Sequence, residues 1–297
     1  KDLLDQIWEK KQLTDDLLSS SMVQTWLARL GEPDGLGSFH SSEPGAFENA
    51  ASKLCDLGVR AGMPPLDARV APFGWWLNDQ AEGMDATAQL GAADITEAET
   101  ESGAHKRAIR WFEAVLVAGR LAWMGYGDDG PYASAVRRIL SRRLDTLYEP
   151  AQTGDHDIYI DQDTFGDFPN NAFRKRPLVD PKFNGRLPTI HDIYALAHLP
   201  HAMSNEETLH KIEAVIDYVL HPDYQALDDG YGIMRAGPRR YYSIGWSVHL
   251  PGCDGFDLER TAAATFIQRL ELMARFPTAR AHRWFRESLA HLGDFRT

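Results

Sequence analysis

Cysteine is nearly absent. The two present, Cys55 and Cys253, stand far apart and outside any Cys-x-x-Cys spacing, which excludes a disulfide framework and a zinc knuckle. Long apolar runs are missing as well: no stretch approaches the roughly 18 residues that a membrane-spanning helix requires, so no membrane span is expected. Basic charge is in deficit, with 31 Lys and Arg against 43 Asp and Glu and a formal charge of −12. That is the wrong sign for binding nucleic acid, which needs clustered cations to displace counterions. The local cluster Arg137, Arg138, Arg142 and Arg143 is expected to be a solvated helix face. No G-x-S-x-G, phosphate-cradling glycine loop or dinucleotide fingerprint occurs, which disfavours serine hydrolases, nucleotide hydrolases and dehydrogenases. None of the 11 histidines falls in H-E-x-x-H or another ligand spacing, so no metal is expected. His198 and His201 sit three apart at a helix end, where the helix dipole accounts for them, and His40, His105, His156 and His191 converge only if the fold brings them together.

What is there reads as a globular, mainly helical chain. Its 297 residues are 43% hydrophobic and 25% charged, far from disordered compositions, and no linker divides them, so a single domain over 1–297 is expected. The charged, helix-prone start KDLLDQIWEKKQ shows no secretory signal, and a reducing cytoplasm is the expected location, although a cleaved leader would leave no trace. Over 134–148, Val136, Ile139, Leu140, Leu144 and Leu147 recur at helical spacing. Residues 106–124 are apolar nearly all round, which predicts a helix enclosed by others. Between them GYGDDGPY makes a turn, with Pro131 at the first helical position.

The same grammar recurs. Thr189 opens a helix to about Leu199, with Asp192 completing a capping box. Ser204, with Glu207 three residues on, opens another, whose face Leu209, Ile212, Ile216, Val219 and Leu220 ends at His221-Pro222. A third pair runs from Arg260 to Phe276 and from Ala281 to Leu292, with Trp284, Phe285, Ser288, Leu289 and Leu292 as its buried stripe. Residues 3–30 are helix-like too. The stretches 63–104, 149–187 and 222–258 read as long irregular loops, which are uncommon unless functional.

Helix, turn, amphipathic helix and an Asp-Gly loop repeat at a period of roughly 50 residues, in VQTWLARLGEPDGLGSF, AVLVAGRLAWMGYGDDGPYASAVRRIL and TIHDIYALAHLPH with IEAVIDYVLHPDYQALDDGYG. This pattern resembles the α/α toroids of terpenoid cyclases and protein prenyltransferases, although in AVLVAGRLAWMGYGDDGPYASAVRRIL the aspartates fall at the turn between the helices, and together with the C-terminal pair it covers about half the chain. The resemblance implies an all-α barrel of helical hairpins, with the irregular loops gathered at one mouth and the active site there. It does not carry the family chemistry across. The cyclase acid motif D-x-D-D-T is matched only by Ile160-Asp161-Gln162-Asp163-Thr164, which lacks the first aspartate, and Cys253, Asp254 and His249 lack the prenyltransferase zinc spacing.

Two constellations carry possible chemistry. GDHDIYIDQDTFGDFPNN gathers Asp155, Asp157, Asp161, Asp163 and Asp167, where mutual repulsion can raise one carboxyl into a general acid or where the segment is simply an acidic surface loop. DDGYGIMRAGPRRYYSIGWSVHLPGCDGFD brings Asp228, Asp229, Arg239, Arg240, Tyr241, Tyr242, Trp246, His249 and Cys253 close in sequence. Arginine beside tyrosine suits an anionic ligand and a phenolic proton donor; alternatively, the arginines fasten the loop by pairing with Asp228 and Asp229. Trp75, Trp76, Trp111 and Trp123 line a pocket or fill the core.

The leading expectation is an enzyme that performs acid-assisted isomerisation, cyclisation or elimination on an apolar, isoprenoid-like small molecule. Asp161, Asp163 or Asp229 would be the acid, with Tyr241 and His249 as further catalytic candidates. Arg239, Arg240 and Tyr242 would hold an anionic part, and Trp76 and Trp246 would shield positive charge. The alternatives are a carbohydrate-active lyase or hydrolase, distinguished by an open groove with paired carboxylates, and a non-catalytic helical-repeat binding protein. The residues name no cofactor and no oligomeric state.

Overall fold

The computed structural model describes residues 3–31, 36–89, 97–161, 176–228, 230–237, 240–252 and 260–294. The chain is mainly helical, as the apolar periodicity requires. Its helices are α1 (Leu3–Ser19), α2 (Ser21–Arg29), α3 (Leu36–Phe39), α4 (Phe47–Asp56), α5 (Pro64–Gln89), α6 (Glu97–Met124) and α7 (Ala133–Thr153), then α8 (Ile190–Leu196), α9 (Glu206–Leu220), α10 (Pro222–Gln225), α11 (Arg260–Met273), α12 (Pro277–Ala281) and α13 (Arg283–Asp294). Among the described residues no helix is long and apolar enough to cross a membrane.

The fold forms two compact units. One comprises 1–95, 106–140 and 198–203, the other 96–105, 141–197 and 204–297. In the first, α2 packs on α1, α4 and α5. Phe47 stacks on Phe73 at 4.2 Å and Phe39 meets Phe73 edge-on at 5.9 Å, an arrangement that adds quadrupole attraction to the burial of three rings. The part of α6 expected to be enclosed is so: every residue from 113 to 122 is buried. That run includes Glu113, whose carboxyl is pushed above the usual range by burial, against the opposing pull of Arg110.

Residues 63–104 are not a loop. Most of them belong to α5 and the start of α6, because Pro64 and Pro65 can begin a helix, where the N–H groups have no intrahelical partner. Leu66, Val70, Phe73, Leu77 and Ala81 then fall on one buried stripe. Gly74 lies in that helix, and a Cβ there would come within 2.5 Å of the Tyr132 ring. Gly74→Ala is therefore expected to overpack the first unit by about 1–3 kcal/mol, read as a lowered denaturant midpoint; an unchanged or raised midpoint would show that Tyr132 moves aside freely.

The second unit is built on α9. Asn205, rather than Ser204, caps it by accepting the Thr208 N–H at 2.9 Å. Ile212, Ile216, Val219 and Leu220 are buried as expected, but Leu209 is 48% exposed. The C-terminal stripe holds for Ser288 and Phe285, whereas Leu289 is exposed. The Thr189–Asp192 capping box is present, although its helix ends at Leu196.

The stretches 149–187 and 222–258 are only partly irregular. They supply the strands β1 (Tyr159–Ile160), β2 (Leu178–Val179), β3 (Ile233–Gly237) and β4 (Arg240–Ser243), in that order across one small sheet. β1 pairs antiparallel with β2, β2 parallel with β3, and β3 antiparallel with β4. Such short runs cannot bury a helical face, and pairing with one another across the sheet is what gives their backbone groups partners.

Candidate functional site

A concavity in the second unit lies where the β2–β3 seam meets the loop after β4. It has a volume of about 400 Å3 and is lined by Arg176, Pro177, Asp228, Gly230, Gly232, Ser243, Ile244 and Trp246. Its floor is an unusual backbone: Gly230, Tyr231 and Gly232 take φ values of +85°, +51° and +111° in succession. Two glycines accept this without cost, but a tyrosine in the left-handed region is strained by about 1–2 kcal/mol.

Burial of the tyrosine side chain offsets that strain. Tyr231 and Tyr224 are both fully buried. The Val248 N–H donates to the Tyr224 hydroxyl at 3.0 Å, the two hydroxyls meet at 2.5 Å, and Tyr231 donates to the Pro188 carbonyl at 2.5 Å. This relay satisfies every polar atom in it, and burial holds both phenols neutral, well above the ordinary tyrosine range. The side chain thus anchors the loop inward while the glycine backbone faces the cleft.

Trp246 stands at the rim. It is 61% exposed, and its six-membered ring lies against Gly230, where a Cβ would sit 3.6 Å from it. Arg176 reaches across to donate to the Ser243 hydroxyl at 2.8 Å. The Asp228 N–H donates to the Tyr159 hydroxyl at 3.2 Å, and the Ser247 hydroxyl donates to the Asp228 carbonyl at 3.3 Å. These bonds hold the Asp228 backbone beside the cleft.

The residues singled out from sequence fall variously. Trp246 and Asp228 share this cleft. Tyr242, on β4, donates to Asn184 Oδ1 at 2.9 Å, and its burial raises its phenol. Tyr241, its half-buried neighbour, pairs with Arg235 across the hairpin. Asp161 follows β1 and is exposed. His249 offers its carbonyl to Arg269 Nε at 3.3 Å. Trp76 lies in the first unit, against Phe39 at 4.5 Å. Arg240 belongs to β4, but its side chain, together with Asp163, Asp229 and Arg239, lies outside the described residues.

Two arrangements escaped the sequence reading. Arg143 is not part of a solvated face: it is buried against Asp192. In the first unit His40 Nδ1 and Glu48 Oε1 are 2.5 Å apart, with Glu48 almost fully buried. The hydrogen bond to Glu48 raises the His40 value, opposed by burial and aided by the carboxylate charge. Eight residues separate the two, a spacing without a motif, and only the turn into α4 brings them together.

Comparison of the chain with protein-family models, with curated proteins and with solved structures finds no match.

Proposed function

We propose that the protein is carbohydrate-active and that a saccharide binds in the cleft of the second unit, with lyase or hydrolase chemistry as the reaction class. The observation that carries this reading is Trp246, a large indole left 61% exposed at the edge of a cleft of mixed polar and apolar lining and steadied by a glycine. A pyranose presents an apolar C–H face and equatorial hydroxyls. The first gains by covering exposed indole surface, and the second suit a carboxylate such as Asp228 and a guanidinium such as Arg176. The cleft also has the size of an ordinary small-ligand site. An isoprenoid would call for an enclosed, dry cavity, so the openness of this one favours the sugar over the cyclase expectation. The closed ring of helix pairs, and with it the terpenoid-cyclase likeness, is a further proposal that this function does not require.

The test is saturation-transfer NMR with a panel of neutral and acidic oligosaccharides, alongside an assay for released reducing or unsaturated ends. Wild-type protein is expected to bind at least one of them, and Trp246→Ala to weaken that binding by about tenfold or more with little change in thermal midpoint, since the ring is mostly solvated. Failure of every glycan to bind, or equal binding by the variant, would overturn the proposal.

A further inference from the structure

Away from the cleft, the bend after α7 brings three lone-pair atoms together. Gly154 takes φ +64° and the Asp155 carboxylate accepts the Asp157 N–H at 3.1 Å, so the intervening His156 is turned onto α9. Its ring stacks on Tyr218 at 4.2 Å, 11° from parallel, and its Nε2 lies 3.1 Å from the Tyr218 carbonyl. A carbonyl only accepts, so Nε2 carries the proton and Nδ1 keeps its lone pair. A backbone carbonyl in this place is the usual means by which a metal-binding histidine is oriented.

His221 caps α10, its Nδ1 accepting the Asp223 N–H at 3.2 Å. The same Nδ1 is 3.6 Å from Asp223 Oδ2. Two acceptors so placed oppose each other unless a cation stands between them. One ligand atom from each of His156, His221 and Asp223 lies within 4.8 Å of the others, and Asp155 and Asp157 line the same open hollow.

We infer that His156, His221 and Asp223 form a binding site for a divalent first-row metal ion, with Zn2+ the best match. Two imidazoles and one carboxylate select such an ion over Mg2+ or Ca2+, which take oxygen ligands. Water completes the shell on the open side. The two histidine rings stack 4.5 Å apart and 17° from parallel, so their in-plane lone pairs run alongside one another instead of meeting. His221, half exposed, aims its ring at the ion by turning about Cβ–Cγ, a soft torsion. That turn gives up its cap on α10, and the competition sets an affinity of roughly micromolar order instead of the tighter range of dedicated structural zinc.

The experiment is calorimetric titration of the chelator-treated full chain with ZnCl2, repeated with MgCl2. His156→Phe keeps the stacking ring and His221→Asn keeps a cap acceptor, so thermal melts of the metal-free variants verify that both fold. One Zn2+ per chain, no saturable Mg2+ binding, and a weakening of about tenfold or more in each variant is the expected result. Absence of saturable Zn2+ binding overturns the site. A single Zn2+ site that both variants retain unchanged overturns it equally, by placing the metal elsewhere.

Discussion

Asp192→Ala is expected to destabilise the second unit by about 3–5 kcal/mol, because it strands a buried guanidinium. The side chains of Arg143 and Asp192 are 9% and 3% exposed and meet through two parallel bonds, Nε to Oδ1 and Nη2 to Oδ2, each 2.7 Å. Two further donors of Arg143 reach the carbonyls of Gly185 and Leu187, while Asp192 also accepts the Thr189 N–H at 2.7 Å and the Thr189 hydroxyl at 2.8 Å. Neither partner has water to fall back on. Replacing both by apolar residues of similar volume is expected to cost much less than Asp192→Ala alone, since the charge left behind, not the pair, dominates the loss.

The pH dependence of that effect has a definite sign. Burial alone would raise the Asp192 carboxyl, but the Arg143 charge and the hydrogen bonds from Arg143 and Thr189 outweigh it and hold the group below the ordinary carboxylate value. A carboxylate depressed by folding contributes stability that is full above its unfolded value, about 3.9, and is lost as pH falls through the folded value. The gap between wild type and Asp192→Ala in denaturant midpoint should therefore be widest near neutrality and shrink in acid. A gap that stays constant from pH 7 down to about pH 3 would show that the ion pair is not what the substitution removes.

That ion pair also shows what sequence could have disclosed. Arg143 lies three residues after Leu140 and four before Leu147, both buried, so helical spacing alone puts it on the apolar face of α7. Grouping it with Arg137, Arg138 and Arg142 by proximity in the chain hid that. Its partner was already marked by the capping box at Thr189, whose Asp192 uses oxygens on both sides. The stripe Leu66, Val70, Phe73, Leu77 and Ala81 was equally readable, and the prolines and glycines around it masked a helix. The sheet was not readable: β1 and β2 are two residues long and exist only because distant segments pair. The cleft was half readable. Asp228 and Trp246 stood out through residue type, but Arg176 and Ser243 join them through strand pairing across 67 residues, and no local pattern encodes such a contact. His40 with Glu48, and His156 with His221, belong to the same class, since ligand and dyad geometry without a motif spacing is a product of tertiary packing.

Gly232→Ala should be the most damaging single methyl in the second unit, lowering stability by about 3 kcal/mol or more. Two independent causes act at this position. At φ +111° an L side chain is strained wherever it points. In addition, the new Cβ would come 2.3 Å from the Pro177 carbonyl oxygen and 3.0 Å from its ring. That oxygen cannot swing away, because it accepts the Ile233 N–H at 3.0 Å and thereby joins β2 to β3. Relief requires β2 to separate from β3, which would open the floor on which Gly230 and Trp246 rest, so binding in the cleft is expected to fall together with stability. Gly230→Ala is the control: its φ is +85°, but its new Cβ would meet only the Trp246 ring at 3.6–3.7 Å, an ordinary contact, and the cost should be about 1 kcal/mol. Thermal midpoints of the two variants decide the matter. If Gly230→Ala proves the more harmful, the close approach of Gly232 to Pro177 is not what holds the cleft in shape.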